Sequence, residues 1–250
     1  MHPMLQRLDE LAAHLATRED TVAVLGLGSA GAQRGRLDDH SDLDFFLIVE
    51  EGATGRYAEA TDWLAAPCPV VYSFANERHG RKALYADGIF VEYAVFTVAE
   101  LRRVAFRGAR VVWRRADAPP GLTESDVPEP RPPFDTVEFH LNEALTNLYV
   151  GLHRELRGEH LSAARFIQGH AVDRVIALLR LSEGEPPYRD LFDPSRRVER
   201  TYPPQLLPLA EMVPGYRGNA AAARAILDWL GARFPIPAPL GARIEELLSK

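Results

Sequence analysis

The sequence predicts an α+β chain: a mixed β-sheet with flanking helices comes first, and a bundle of helices follows. Three observations predict it. Short runs rich in β-branched and aromatic residues recur through residues 1–116, separated by short amphipathic stretches. Residues 116–133 (ADAPPGLTESDVPEPRPP) then carry six prolines and few large apolar side chains, the composition of a semi-rigid connection. Beyond them the apolar residues fall at helical spacing over long stretches. The expected organisation is a sheet domain at 1–116, a proline-rich linker at 117–133 and a helical domain at 134–250.

The chain opens with an amphipathic helix, since Leu5, Leu8, Leu11, Ala12 and Leu15 share one helical face. Val22–Leu25 is an apolar run with the length of a buried strand, and Phe45–Val49 is a second. Residues 56–65 have a helical pattern, which Pro67 and Pro69 stop. Val70–Phe74, Lys82–Tyr85, Ile89–Thr97 and Ala109–Arg114 follow as strands, with a short helix at Val98–Phe106. In the second half, helices are expected at 136–157, 161–181, 220–234 and 241–248, with prolines breaking the chain between them.

Bulk composition narrows the function. The hydrophobic fraction of 46% and charged fraction of 26% are those of a globular protein. No apolar run reaches membrane-spanning length, and the first twenty residues lack the uninterrupted apolar core of a secretory signal. The formal charge of −6 argues against a sequence-independent grip on a nucleic acid backbone. A lone cysteine, Cys68, excludes an internal disulfide framework and fits a reducing, cytoplasmic setting.

The chemistry concentrates between residues 21 and 50. A small-residue turn, Gly26 to Gly31, follows the first strand and spells G-x-G-x-x-G. In a dinucleotide fold that turn opens a crossover helix of a dozen residues or more. Here the segment before the next strand is short, polar, interrupted by Gly35 and without an apolar stripe. The next strand begins Ser41-Asp42-Leu43-Asp44. Alternation along a strand sends Asp42 and Asp44 to the same face. Two such carboxylates are costly to bury unpaired, so they belong at an open strand end or on cations.

Gly28-Ser29, a gap of twelve residues and then Ser41-Asp42-x-Asp44 within an apolar strand resemble the nucleotidyltransferase superfamily that includes DNA polymerase β and the antibiotic nucleotidyltransferases. The resemblance covers roughly residues 20–100. It implies an N-terminal nucleotidyltransferase domain and a helical domain that binds the acceptor. It also implies that Mg²⁺ is held by Asp42 and Asp44, and that phosphate of ATP or another NTP lies against Gly28, Ser29 and Ser41. Glu92, a lone acid in the run Phe90–Val95, matches the later-strand carboxylate of lincosamide- and streptomycin-type members. There it implies a general base or a third metal ligand, with Glu138 and Glu143 as alternatives. Arg165 and Arg174 interrupt the apolar pattern of a helix and are candidates for triphosphate or acceptor, since guanidinium suits bidentate phosphate contacts. The implied activity is transfer of a nucleoside monophosphate to a hydroxyl of a small molecule such as an aminoglycoside or lincosamide, with antibiotic resistance as its setting. Transfer to a protein or RNA, a non-catalytic nucleotide-binding role and a homodimeric assembly stay open.

Overall fold

The structure is a computed structural model that describes residues 1–128, 134–184, 190 and 193–250. The chain divides into two compact units, Met1–Glu129 and Pro130–Lys250.

The first unit is built on one six-stranded sheet flanked by helices. Helix α1 (Pro3–Leu15) starts where the His2 side chain accepts a hydrogen bond from the Met4 amide and Pro3 pre-sets the first turn. The strands follow as β1 (Thr21–Gly26), β2 (Leu43–Val49), β3 (Val70–Ala75), β4 (Gly80–Tyr85), β5 (Phe90–Phe96) and β6 (Arg110–Arg114), in the spatial order β3-β4-β5-β2-β1-β6. Every neighbouring pair is antiparallel except β2 and β5, which run parallel. The sheet is therefore mixed, as the alternating pattern predicts.

The two faces of the sheet are covered unequally. On one, Leu43, Phe45, Leu47, Ala83, Tyr85, Val91, Tyr93 and Val95 pack with Leu8, Leu11 and Leu15 of α1 and with Trp63. Each fully buried side chain of this size stabilises the fold by about 2 kcal/mol. On the other, Phe46, Ile48, Ala94 and Phe96 pack against Leu101, Phe106 and Leu122. That second layer covers only the later halves of β2 and β5, and leaves their first residues, Asp44, Phe90 and Glu92, partly exposed.

Three sequence expectations differ from the structure. The helix expected at 56–65 is α2, Thr54–Glu59, because Trp63 folds back beneath it and donates its indole N–H to the carbonyls of Tyr57 and Ala60. The helix expected from Val98 to Phe106 is a single turn, α3 (Val98–Leu101), fixed by a reciprocal cap between Thr97 and Glu100. Part of the expected linker belongs to the first unit: Leu122 is buried beside Ala118 in the second layer. Residues 129–133 of that linker lie outside the described residues.

In the second unit, α4 (Val137–Leu156) is the central helix. One continuous helical stretch follows: α5 (His160–Ala164), a π-helical segment (Arg165–Ala171) and α6 (Val172–Glu183). Two single-turn helices, α7 (Val198–Thr201) and α8 (Leu209–Met212), precede α9 (Asn219–Gly231) and α10 (Ala238–Leu248). The core joins Leu141, Leu145, Leu148, Leu152, Ile167, Leu179, Ile226 and Leu230. A buried polar node ties its helices: Asn219 donates to Glu155 Oε2 at 2.7 Å and to the His160 carbonyl at 3.0 Å, and accepts from Gln168 at 2.6 Å. Among the described residues, no helix of either unit is long and apolar enough to cross a membrane.

Candidate active site

Parallel pairing of β2 with β5 sets Asp44 directly beside Glu92. One residue further, on the opposite face, the next pair is Phe45 and Tyr93, whose rings stack at 5.3 Å and 10°. Trp63 closes edge-on against both, with ring centroids 6.3 Å from Phe45 and 5.1 Å from Tyr93. A slip of one residue would turn this aromatic cluster to the open face, so packing behind the sheet pins the register of the acids in front.

The row continues across the sheet. Glu92 pairs with Lys82 on β4, and Lys82 with Phe74 on β3. Lys82 Nζ donates to Glu92 Oε1 at 2.6 Å. The Glu92 hydrogen bond, assisted by the charges of Glu92, Asp42 and Asp44, raises the Lys82 ammonium above its ordinary value. All three carboxylates therefore lie within electrostatic reach of one cation, on the face that the second layer leaves open.

The glycine turn closes the other side. Gly28 adopts φ +50°, a left-handed conformation that favours glycine. A Cβ there would stand 3.1 Å from Asp44 Oδ2, so the backbone of the turn comes right up to the carboxylate. The Leu27 amide donates to the Asp44 carbonyl at 2.9 Å, which fastens the turn to β2. Ser29 follows within a single 3-10 turn, Gly28–Ala30, and is buried. The chain reaches β2 through short turns rather than a crossover helix, and β1 and β2 are antiparallel. The dinucleotide alternative fails on both counts.

The other expected residues are placed differently. The Ser41 hydroxyl accepts from the Asp38 amide at 3.0 Å and donates to Asp38 Oδ1 at 3.2 Å, so it shapes the turn before β2. Arg165 and Arg174 belong to the second unit. Arg165 is exposed at the start of the π segment, and Arg174 Nη1 lies 3.4 Å from His140 Nδ1. Glu138 and Glu143 are exposed on α4.

Among the described residues, no group of three or more His, Cys, Asp and Glu side chains is gathered to hold a metal. Glu92 is engaged by Lys82, and Asp44 Oδ2 is the oxygen beside Gly28. Sequence reasoning missed Lys82 as a site residue. Its signal was present: it is one of two lysines in the chain, and it stands within a strand pattern.

Oxygen-only donors beside a glycine turn suit a hard divalent cation such as Mg²⁺ with phosphate as its further ligand. Asp42 and Asp44 would hold it, and Gly28, lacking a side chain, lets the turn lie against Asp44 without covering its Oδ2.

No protein-family model matches the chain, and no curated protein matches it. Among solved structures the chain is similar to the crystal structure of an aminoglycoside 6-adenyltransferase from Bacillus subtilis. All of both chains is covered, with 12% identity and a TM-score of 0.34. That likeness is too remote to bear on what this chain does.

Proposed function

We propose that the chain is a nucleotidyltransferase that moves a nucleoside monophosphate, AMP in the simplest case, from a nucleoside triphosphate to a hydroxyl of a small acceptor. The observation that carries this reading is the row of Asp44, Glu92 and Lys82 across three strands, with the Gly28 turn against Asp44. Carboxylates, an ammonium and a half-buried glycine turn stand together where the second layer leaves the sheet uncovered, which supports this reading.

The turn at Gly28-Ser29 receives the outgoing phosphates through backbone N–H groups and a hydroxyl. Bound at Asp42 and Asp44, Mg²⁺ would neutralise charge on the triphosphate and stabilise attacking and leaving oxygens. Glu92 takes the proton of the acceptor hydroxyl. That oxygen bonds to the α-phosphorus while the bond from the α-phosphorus to the bridging oxygen breaks, and pyrophosphate leaves with the electron pair. Lys82 orients Glu92 and keeps a cation beside the carboxylate that must accept the proton.

The test is incubation with ATP, Mg²⁺ and a panel of aminoglycosides and lincosamides, read by mass spectrometry for an added AMP. We expect an adduct on a small molecule. Asp42→Asn and Asp44→Asn should each lower turnover by on the order of 10²-fold or more while circular dichroism stays that of the parent. Undiminished turnover in either variant, or AMP found only on a co-purified protein, would overturn the reading.

A further inference from the structure

We propose that Arg110, at the start of β6, is a positioning residue for the glycine turn: it fastens the Gly28–Ala30 turn from behind and brings a positive charge up to it. The proposal rests on the nucleotidyl-transfer reading and gives that site the residue that sets its grip on the outgoing phosphates.

Register places the parts. Arg110 pairs with Gly26, the last residue of β1, where the chain leaves the sheet for the turn. A Cβ on Gly26 would stand 2.5 Å from the Ala30 carbonyl oxygen and 3.3 Å from Leu8 Cδ2, so the end of the turn folds back over β1 on the side covered by α1. There Arg110 Nε donates to that same carbonyl at 3.1 Å. Just beyond, the Ala32 amide donates to the Gly108 carbonyl at 2.7 Å, and a Cβ on Gly31 would stand 2.4 Å from the Gly108 oxygen. Each glycine of the G-x-G-x-x-G run therefore stands where a Cβ would meet a neighbour: Gly26 at Ala30, Gly28 at Asp44 and Gly31 at Gly108. The Leu27 amide is tied to β2 at one end of the turn, and Ala30 and Ala32 are tied to the chain entering β6 at the other. Gly28 and Ser29, whose amides the nucleotidyl-transfer reading assigns to phosphate, lie between these anchors.

Charge makes Arg110 more than a tether. Its Nη2 is buried and has no hydrogen-bond partner among the described residues. Burial, and after it the nearby Arg34, lower the guanidinium below its ordinary value, against the pull of Asp9. A cation in that setting is costly until an anion comes near, and the turn is where the nucleotidyl-transfer reading puts one. Phe45 packs on the α1 side of the sheet, so Asp44, its neighbour in the strand, belongs to the other side. The guanidinium therefore acts through the turn and not at the reacting phosphorus. Its effect falls on affinity for the outgoing phosphates, and not on the chemical step.

Calorimetric titration of the full chain tests this without requiring turnover. One probe is a non-hydrolysable ATP analogue with Mg²⁺, and the other is AMP, which lacks the outgoing phosphates. Arg110→Met should bind the analogue at least about ten-fold more weakly than the wild type and bind AMP equally well. Arg110→Lys keeps a charge and a donor for the Ala30 carbonyl, so it should recover most of the difference, since the site uses a single contact and not a bidentate one. A second pair of variants moves the turn without touching Arg110. Gly31→Ala drives a Cβ against Gly108, whereas a Cβ on Gly35 meets nothing within 4 Å. Gly31→Ala should bind the analogue more weakly, and Gly35→Ala should match the wild type. Unchanged analogue binding in Arg110→Met, an equal loss of AMP binding, no recovery in Arg110→Lys, or a Gly31→Ala variant that binds as Gly35→Ala does would each overturn the proposal. Failure of the nucleotidyl-transfer reading shows in the wild type instead, as absence of Mg²⁺-dependent binding of the analogue.

Discussion

Lys82 and Glu92 decide what the open row of the sheet can do. An ammonium 2.6 Å from Glu92 occupies one carboxylate oxygen and competes with any dication for it. Lys82→Met removes that competitor and leaves the anionic charge in place. We therefore expect Mn²⁺, followed by electron paramagnetic resonance, to bind Lys82→Met on the order of ten-fold more tightly than the wild type. Turnover should nevertheless fall, because Glu92 loses the group that orients it. Unchanged Mn²⁺ affinity would place the cation away from Glu92. At this scale the sequence was legible where a residue broke a pattern: Asp44 and Glu92 interrupt apolar runs, and Asp42 stands two residues before Asp44 at the start of one. It was not legible where meaning depends on pairing. Nothing local to residues 80–85 says that Lys82 faces Glu92, because strand order and register are set by contacts distant in sequence.

At the scale of elements, close approach between helices is the tightest constraint in the second unit. A Cβ on Gly151 would come within 2.5 Å of Ile167 Cγ1 and 3.2 Å of Phe166 Cβ, so α4 and the π-helical segment meet at a residue with no side chain. Alanine at 151 would gain about 1 kcal/mol in helix propensity and cost about 1–3 kcal/mol in overpacking. We expect Gly151→Ala to lower the urea midpoint of the second unit; a raised midpoint would show that the π-helical segment yields freely. The long helices were readable from periodicity. The π segment was not, since one inserted residue barely disturbs an apolar stripe. The helix expected at 56–65 failed because the pattern ignores Trp63, whose buried indole N–H takes the carbonyls that would have continued the helix.

Across the whole molecule, acid sensitivity should differ between the two units. In the second, burial lowers the His140 imidazole, which is only 1% exposed, against the opposing pull of Asp135. Burial opposes ionisation of Asp135 too, but the His140 hydrogen bond and the Arg180 charge hold it below the ordinary carboxylate value. A depressed histidine contributes stability that is fully present above the ordinary value of 6.5 and is lost as pH falls below it. Asp135 has the same sign at lower pH, whereas burial raises Asp173, which works the other way through the carboxylate range. Hydrogen exchange should therefore show α4 and α6 losing protection as pH falls from about 7.5 to about 5.5, and His140→Gln should flatten that loss. A wild-type profile flat across that window would remove His140 as the cause. The succession of a sheet and then helices was legible in strand-like runs, a proline-rich stretch and helical spacing taken together. The extent of each was less so, since prolines mark where chains turn, while Leu122 shows that a proline-rich stretch can still contribute to a core. The parallel union of β2 with β5 has a kinetic consequence. Residues 50–89 intervene between the two strands, so Asp44 and Glu92 meet only after a long loop has closed, with its entropic cost met before the contact gives anything back. The pairings β1–β2, β3–β4 and β4–β5 are local and can form early, but the chemistry waits for β2–β5, which is not. During refolding, recovery of the proposed nucleotidyl-transfer activity, which needs Glu92 beside Asp44, should therefore trail the appearance of sheet.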